Sequence, residues 1–183
     1  NNKVWHINGY SYPQVNNSKK SSFSNYISPW GWGTWKNRWD IFINGNYFNE
    51  NFISKLSEDT INEFNVDGHY DWENIIKKTM LGSVNSWAAF WYQAIFLNEG
   101  LTLFPNKSHT QNGGFDGTGE HCSDVNDWKT RLNNNKTVYF PDKLTVSKIF
   151  LFNTKLFFKI YILKRYLRFH KDKFNSPKNF YRF

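Results

Sequence analysis

Cysteine is almost absent from this chain, which has one such residue, Cys122, among 183. A single cysteine excludes an intramolecular disulfide framework and is typical of a reducing compartment, so we expect the protein to be cytoplasmic. Methionine is equally scarce, because Met80 is the only one and the first residue is Asn1. We therefore expect the sequence to be a fragment of a longer protein.

Long apolar runs are also lacking. The longest, from Ile149 to Leu163, is interrupted by Lys155 and Lys159. It falls short of the roughly 20 apolar residues that a helix needs to cross a bilayer. We therefore expect no transmembrane helix in this chain.

Acidic residues are missing from one region rather than from the whole chain. Residues 148–183 hold ten of the 23 Lys and Arg residues but only one of the 15 acids, Asp172. The preceding residues carry 13 basic and 14 acidic side chains, so the formal net charge of +8 is confined to a tail. An evenly basic surface would indicate nucleic acid, whereas this distribution does not. We therefore expect no nucleic-acid partner.

The basic tail is predicted to be a helix from about Val146 onward, because Lys148, Lys155 and Lys159 fall on one side of a helical wheel and apolar residues occupy the rest. Two interpretations fit this pattern. The helix lies on an anionic membrane surface, or it packs against the half of the parent protein that is missing from this sequence.

Aromatic residues are abundant, at 20% with nine Trp, and indicate a globular body with a substantial core. Strands are predicted at Val4–Ile7 and Leu101–Phe104 from their β-branched and apolar content. The strongest helix is predicted from Trp87 to Asn98, followed by Gly100 as a left-handed terminator. A helix over Tyr70–Met80 is predicted, and another capped by Thr34, with Trp35, Trp39 and Phe42 on one buried face.

The turn Trp30-Gly31-Trp32-Gly33 has the composition of a sugar-binding segment. Indole faces stack on the apolar face of a pyranose, and glycine lets the chain approach a ligand closely. The alternative is a set of core aromatics around a tight turn. Because Trp alternates with Gly and follows neither helical nor strand periodicity, we favour a turn that faces a ligand.

Three segments carry a family resemblance: Trp5–Pro13, Pro29–Trp39, and Asn85–Cys122, which includes Gly113-Gly114-Phe115-Asp116-Gly117-Thr118-Gly119-Glu120-His121. In order and spacing they resemble the second half of bacterial GT-A glycosyltransferases of the family 2 type, which are common among polysaccharide-building genes. The resemblance covers about residues 4–122 and implies a partial GT-A fold of the α/β class, with a mixed sheet and helices. We accordingly divide the chain into an acceptor-side half-domain, 1–145, and a tail, 146–183.

The resemblance also implies an activity. Such enzymes transfer a sugar from a nucleotide-diphosphate donor to a glycan or lipid-linked acceptor, usually with a divalent metal ion, Mn²⁺ or Mg²⁺. The nucleotide-binding strands and the acidic metal motif of the family precede the strand at Val4 and are not in this sequence. We expect this chain alone to be inactive. A cytoplasmic enzyme of this kind, with the basic tail, is expected to be peripheral on the inner face of the cell membrane.

Metal and acceptor residues follow from the same resemblance. His121 resembles a late histidine that completes the metal site, and the alternative for it is an ordinary polar loop residue. Asp116 is expected to help shape the site and to bind substrate. Asn85, Ser86 and Trp87 resemble the start of the acceptor helix and are expected to bind substrate.

The general base of an inverting transfer is normally a carboxylate. In this family it commonly stands where the present sequence has Asn85, which is not a base. Asp67 and Asp71 are the nearest alternative carboxylates in sequence. Asp67, before Gly68, is equally typical of a turn, and Asp71 is equally typical of a helix cap.

The main rival to an enzyme is a noncatalytic carbohydrate-binding module, which the tryptophan content alone would permit. An acidic pair such as Asp-x-Asp encoded upstream of Asn1 would distinguish the enzyme from the module.

Overall fold

The computed structural model of the protein describes residues 1–13, 18–49, 52–116, 126–134 and 137–175. Over these ranges it is mixed α/β, with one four-stranded sheet and five α-helices. The strands are β1 (Val4–Asn8), β2 (Ser22–Ser24), β3 (Trp32–Gly33) and β4 (Leu101–Phe104). The helices are α1 (Lys36–Asn44), α2 (Glu58–Phe64), α3 (Trp72–Met80), α4 (Trp87–Leu97) and α5 (Lys148–Asn175).

The sheet is mixed, with the strand order β2-β4-β1-β3. The two central strands, β1 and β4, are parallel, and the outer strands are antiparallel to their neighbours. The loops that follow β1 and β4 consequently leave the same edge of the sheet. They meet there at Gly9, whose carbonyl oxygen accepts a hydrogen bond of 2.7 Å from the backbone N–H of His109.

Helix α4 forms the centre of the core, as its apolar composition predicts. Ala89, Trp91, Tyr92 and Ile95 are all fully buried. Its end differs from the prediction, because Glu99 rather than Gly100 has the left-handed conformation, with φ of 49°. Glycine is required at position 100 for another reason: a Cβ there would lie 2.8 Å from the ring of Trp5.

Helix α1 corrects two sequence predictions. Thr34 does not cap it, because the Thr34 hydroxyl donates to the Trp5 carbonyl oxygen at 2.5 Å and the N-cap residue is Trp35. The buried face contains Arg38 and Phe42. Trp35 and Trp39 are 44% and 37% exposed, so placing both in the core was wrong.

Helices α2 and α3 begin at side-chain caps. The Ser57 hydroxyl accepts a hydrogen bond of 3.2 Å from the backbone N–H of Thr60, and the Asp71 carboxylate accepts one of 3.1 Å from that of Asn74. These bonds satisfy N–H groups that have no partner within the helix. Asp71 therefore has a structural role at the start of α3.

Helix α5 confirms the helix predicted for the tail. Its first turns pack into the main core through Phe150, Thr154 and Phe158, which are buried. The Phe150 ring lies 4.8 Å from that of Phe104, and the Phe158 ring lies 5.3 Å from that of Tyr12, measured between centroids. The change of composition at residue 146 is thus not a boundary between separate cores.

Over the described residues, α5 and the other helices are too short or too polar to cross a membrane.

Candidate functional site

The turn before β3 lies at the edge of the sheet where β1 ends. Asn8 and Ile7 of β1 pair with Trp32 and Gly33. Gly31 has a positive φ of 58°, which favours glycine, and its carbonyl oxygen accepts a 2.6 Å hydrogen bond from the Gly9 N–H. The turn is therefore fixed against the end of β1.

The two indoles of this turn have different environments. Trp30 packs edge-on against Tyr10 and Trp128, with ring centroids 4.7 and 5.4 Å apart. Trp32 lies on the other side, 5.2 Å from Trp87 and 6.1 Å from Trp39. Trp30 thus supports the turn, whereas Trp32 belongs to a second aromatic group.

Trp32, Trp39 and Trp87 form what we call the indole cluster. They come from β3, α1 and the first position of α4, so three elements converge there. Trp39 is 37% and Trp87 42% exposed, whereas Trp32 is half-buried. Trp91 lies buried beneath, 5.6 Å from Trp32 and 5.7 Å from Trp39. Two of the three indoles are thus partly open to solvent above a buried base.

The two glycines of the turn, Gly31 and Gly33, also have different environments. A Cβ at Gly31 would lie 2.5 Å from the Thr110 side chain, so what approaches Gly31 closely is protein. A Cβ at Gly33 would have no atom within 4 Å, and Gly33 is exposed. Open space therefore lies next to Trp32 at Gly33.

His6 supports the indole cluster from below. Its ring stacks on Trp32 with centroids 5.1 Å apart and planes 4° apart. Trp91 Nε1 donates a 2.9 Å hydrogen bond to His6 Nδ1, so the proton of the neutral ring is on Nε2. Nε2 lies 3.1 Å from the Ser28 carbonyl oxygen and 2.5 Å from the side-chain amide of Asn8.

Burial lowers the pKa of His6 to about 4, although its hydrogen bonds to Asn8 and Ser28 act in the opposite direction. The ring is consequently neutral at physiological pH. With both nitrogens engaged inside the protein, His6 acts as a positioning residue for Trp32 and not as a proton donor to a ligand.

The start of α4 carries the predicted acceptor residues. Trp87 joins the indole cluster, and Asn85 is exposed two residues before it. Ser86 is the N-cap residue, but its side chain makes no capping hydrogen bond to α4. Asn85 cannot serve as a base, since an amide does not accept a proton at neutral pH.

The two candidate bases are engaged elsewhere. Asp67, with a positive φ of 52°, forms an ion pair with Lys155 of α5. Asp71 caps α3. Both carboxylates are on exposed residues, so each is accessible to solvent, but both have a structural partner.

The predicted metal residues are only partly described. Asp116 ends a 3₁₀ turn, Gly113–Asp116, whereas His121 lies outside the described residues. Across the described ranges, three or more His, Cys, Asp or Glu side chains do not come together where they could hold a metal ion.

Sequence reasoning missed two members of the site. His6 was included only within a predicted strand, although its place two residues from Val4 and Asn8 signals the same face of β1. Trp39 was assigned to the core because it shares helical spacing with Phe42. No sequence signal distinguished its exposed position.

The fold and the site define this protein as a mixed α/β domain with an open aromatic cluster at one edge of its sheet. Comparisons of the chain with protein-family models, curated proteins and solved structures gave no match.

Proposed function

We propose that this chain is the acceptor-side half of a GT-A glycosyltransferase of the family 2 type, and that the indole cluster binds the acceptor sugar. The observation that carries the proposal is the exposure of Trp39 and Trp87 beside Trp32. Exposed indoles on a fixed base suit the apolar face of a pyranose. The open space at Gly33 leaves room for the ring.

The transfer reaction comes from the family resemblance of Trp5–Pro13, Pro29–Trp39 and Asn85–Cys122. In the proposed enzyme, a nucleotide-binding half encoded upstream of Asn1 supplies the donor site and an acidic metal motif. His121 completes the site for Mn²⁺ or Mg²⁺. Asp71 or Asp67 is the candidate general base for the acceptor hydroxyl, on a glycan or a lipid-linked sugar.

Acceptor binding is tested by titrating the ¹⁵N-labelled chain with a panel of oligosaccharides and following the indole N–H signals. We expect the Trp39 and Trp87 signals to shift. Trp87→Ala should weaken binding by about tenfold, since loss of an aromatic contact of this kind is worth about 1 kcal/mol or more. Trp35→Ala is the matched control, because Trp35 is equally exposed but lies outside the indole cluster. Equal losses in both variants, or no binding by any saccharide, would contradict the proposal.

Catalysis is tested separately from binding. We expect the coding sequence upstream of Asn1 to contain an Asp-x-Asp motif, and the longer protein to transfer sugar only with a divalent metal. Sugar binding without such a motif would leave the carbohydrate-binding module as the function. Transfer by the 183-residue chain alone would show that the donor site is not missing.

A further inference from the structure

Helix α5 has an apolar face that the protein core does not use. Six of its side chains are 44–73% exposed and lie within about 80° of one another at 3.6 residues per turn. We call them the apolar stripe: Ile149, Phe152, Leu156, Ile160, Leu163 and Leu167. The stripe is nearly opposite the buried residues Phe150, Thr154 and Phe158, so it faces away from the core.

The orientation of α5 is fixed along its length. The first turns are held by the buried phenylalanines, and further along Lys164 and Arg168 both form ion pairs with Asp127. Those charges lower the pKa of the Asp127 carboxyl, although desolvation alone would raise it, so the anion is maintained. With its inner face held in this way, α5 cannot bury the stripe by rotating.

Basic residues border the stripe on both sides. Lys148 and Lys159 lie along one border and Lys171 along the other, and all three are exposed. The helix has no acid between Lys148 and Lys171. Tyr166, also exposed, adds an amphipathic ring near the first border. The stripe also adjoins a groove of about 310 Å³ lined in part by Leu156, Ile160 and Lys164.

We infer that this face of α5 docks the protein onto an anionic membrane surface. A helix in the interface buries its apolar face at the boundary between headgroups and acyl chains, while flanking lysines reach lipid phosphates. The cations on both borders favour anionic lipid over a second copy of this chain, because two such helices would bring like charges together. The inference does not depend on sugar transfer, so either proposal can fail without the other.

The test is co-sedimentation of the full chain with vesicles of phosphatidylcholine alone and of phosphatidylcholine with phosphatidylglycerol. We expect binding to the anionic vesicles, reduced at high salt. Phe152→Ser with Leu163→Ser should lower it by about tenfold or more, since each replacement removes a large apolar group from the interface. Leu81→Ser with Phe140→Ser is the matched control, because both residues are exposed and neither belongs to α5.

A second pair of variants tests the charges. Lys148→Gln with Lys159→Gln should weaken binding to anionic vesicles by about fivefold per lysine. Lys107→Gln with Lys143→Gln, also exposed, should have little effect. Far-UV circular dichroism verifies that each variant is folded. No sedimentation with anionic vesicles would overturn the inference, as would a dimer in solution that Phe152→Ser with Leu163→Ser converts to monomer without any vesicle binding.

Discussion

At the scale of single residues, His6 connects the core to the candidate site. It accepts a hydrogen bond from Trp91, the largest fully buried side chain, and stacks under Trp32 of the indole cluster. Protonating Nδ1 would remove the acceptor of the Trp91 indole N–H and place a charge in an apolar environment. The neutral form of the His6 ring is therefore needed both for its packing against Trp91 and for the position of Trp32.

The pH dependence of stability follows from the pKa of His6, which burial lowers from 6.5 to about 4. Below pH 6.5 the unfolded chain binds a proton that the folded ring does not bind until about pH 4. The stabilisation of the fold by neutral His6 is therefore complete above pH 6.5 and is lost as the pH falls from 6.5 to about 4. We expect His6 to lower the free energy of unfolding by about 3 kcal/mol between these pH values.

Urea unfolding across this pH range measures the effect in the wild-type chain and in His6→Gln. The variant should be less stable at pH 7 but should lack this part of the pH dependence. His109→Gln is the matched control, because it makes the same replacement at an exposed histidine. The same slope in wild type and His6→Gln would show that another group causes the acid sensitivity.

At the scale of elements, much of the secondary structure follows from local pattern. The core helix α4 and its neighbour β4 are consecutive in sequence, and their apolar runs and flanking glycine predict both of them. The exposed side of α1 was not predictable in the same way. Trp39 has core spacing, but its contacts with Trp32 of β3 and Trp91 of α4 depend on how the elements pack, which periodicity does not encode.

The site itself was predictable only in part for the same reason. Trp32 and Trp87 were both chosen from the sequence, yet their contact depends on the position of β3 relative to α4. Likewise, Trp30 belongs with Trp128, nearly one hundred residues later, and no local rule pairs them. Composition thus identified the candidate residues, whereas topology decided which of them share a surface.

The start of α3 allows the two roles of Asp71 to be separated. Asparagine also accepts the capping hydrogen bond, so Asp71→Asn should leave thermal stability nearly unchanged, whereas Asp71→Ala should cost about 1 kcal/mol. Both variants lack the carboxylate that a general base at position 71 needs. If Asp71 is the base of the proposed enzyme, Asp71→Asn in that longer protein should lower kcat while retaining the melting temperature. Full activity in Asp71→Asn would leave Asp67 as the candidate base.

At the scale of the whole molecule, the tail and the body form one core. Phe150 contacts Phe104 of β4, and Phe158 contacts Tyr12, which lies after β1. The Val146 backbone segment also bridges to Phe23 of β2. The same helix thus covers the sheet with one face and presents the apolar stripe with the other, so the surface proposed to bind lipid is rigidly connected to the indole cluster.

Truncation tests whether the tail and the body share one core. A chain ending at Ser147 would expose Phe104 and Tyr12 and lose the burial of two phenylalanines, a loss of about 5 kcal/mol. That is comparable with the whole stability of a small domain, so we expect the truncated chain to lose cooperative thermal unfolding. A chain ending at Lys171 keeps Phe150, Thr154 and Phe158, the buried residues of α5 among those whose burial the structure describes, and should melt like the full chain. If the chain ending at Ser147 melted cooperatively at an unchanged temperature, the tail would be an independent unit, and its orientation on the body would no longer support a fixed membrane-facing surface.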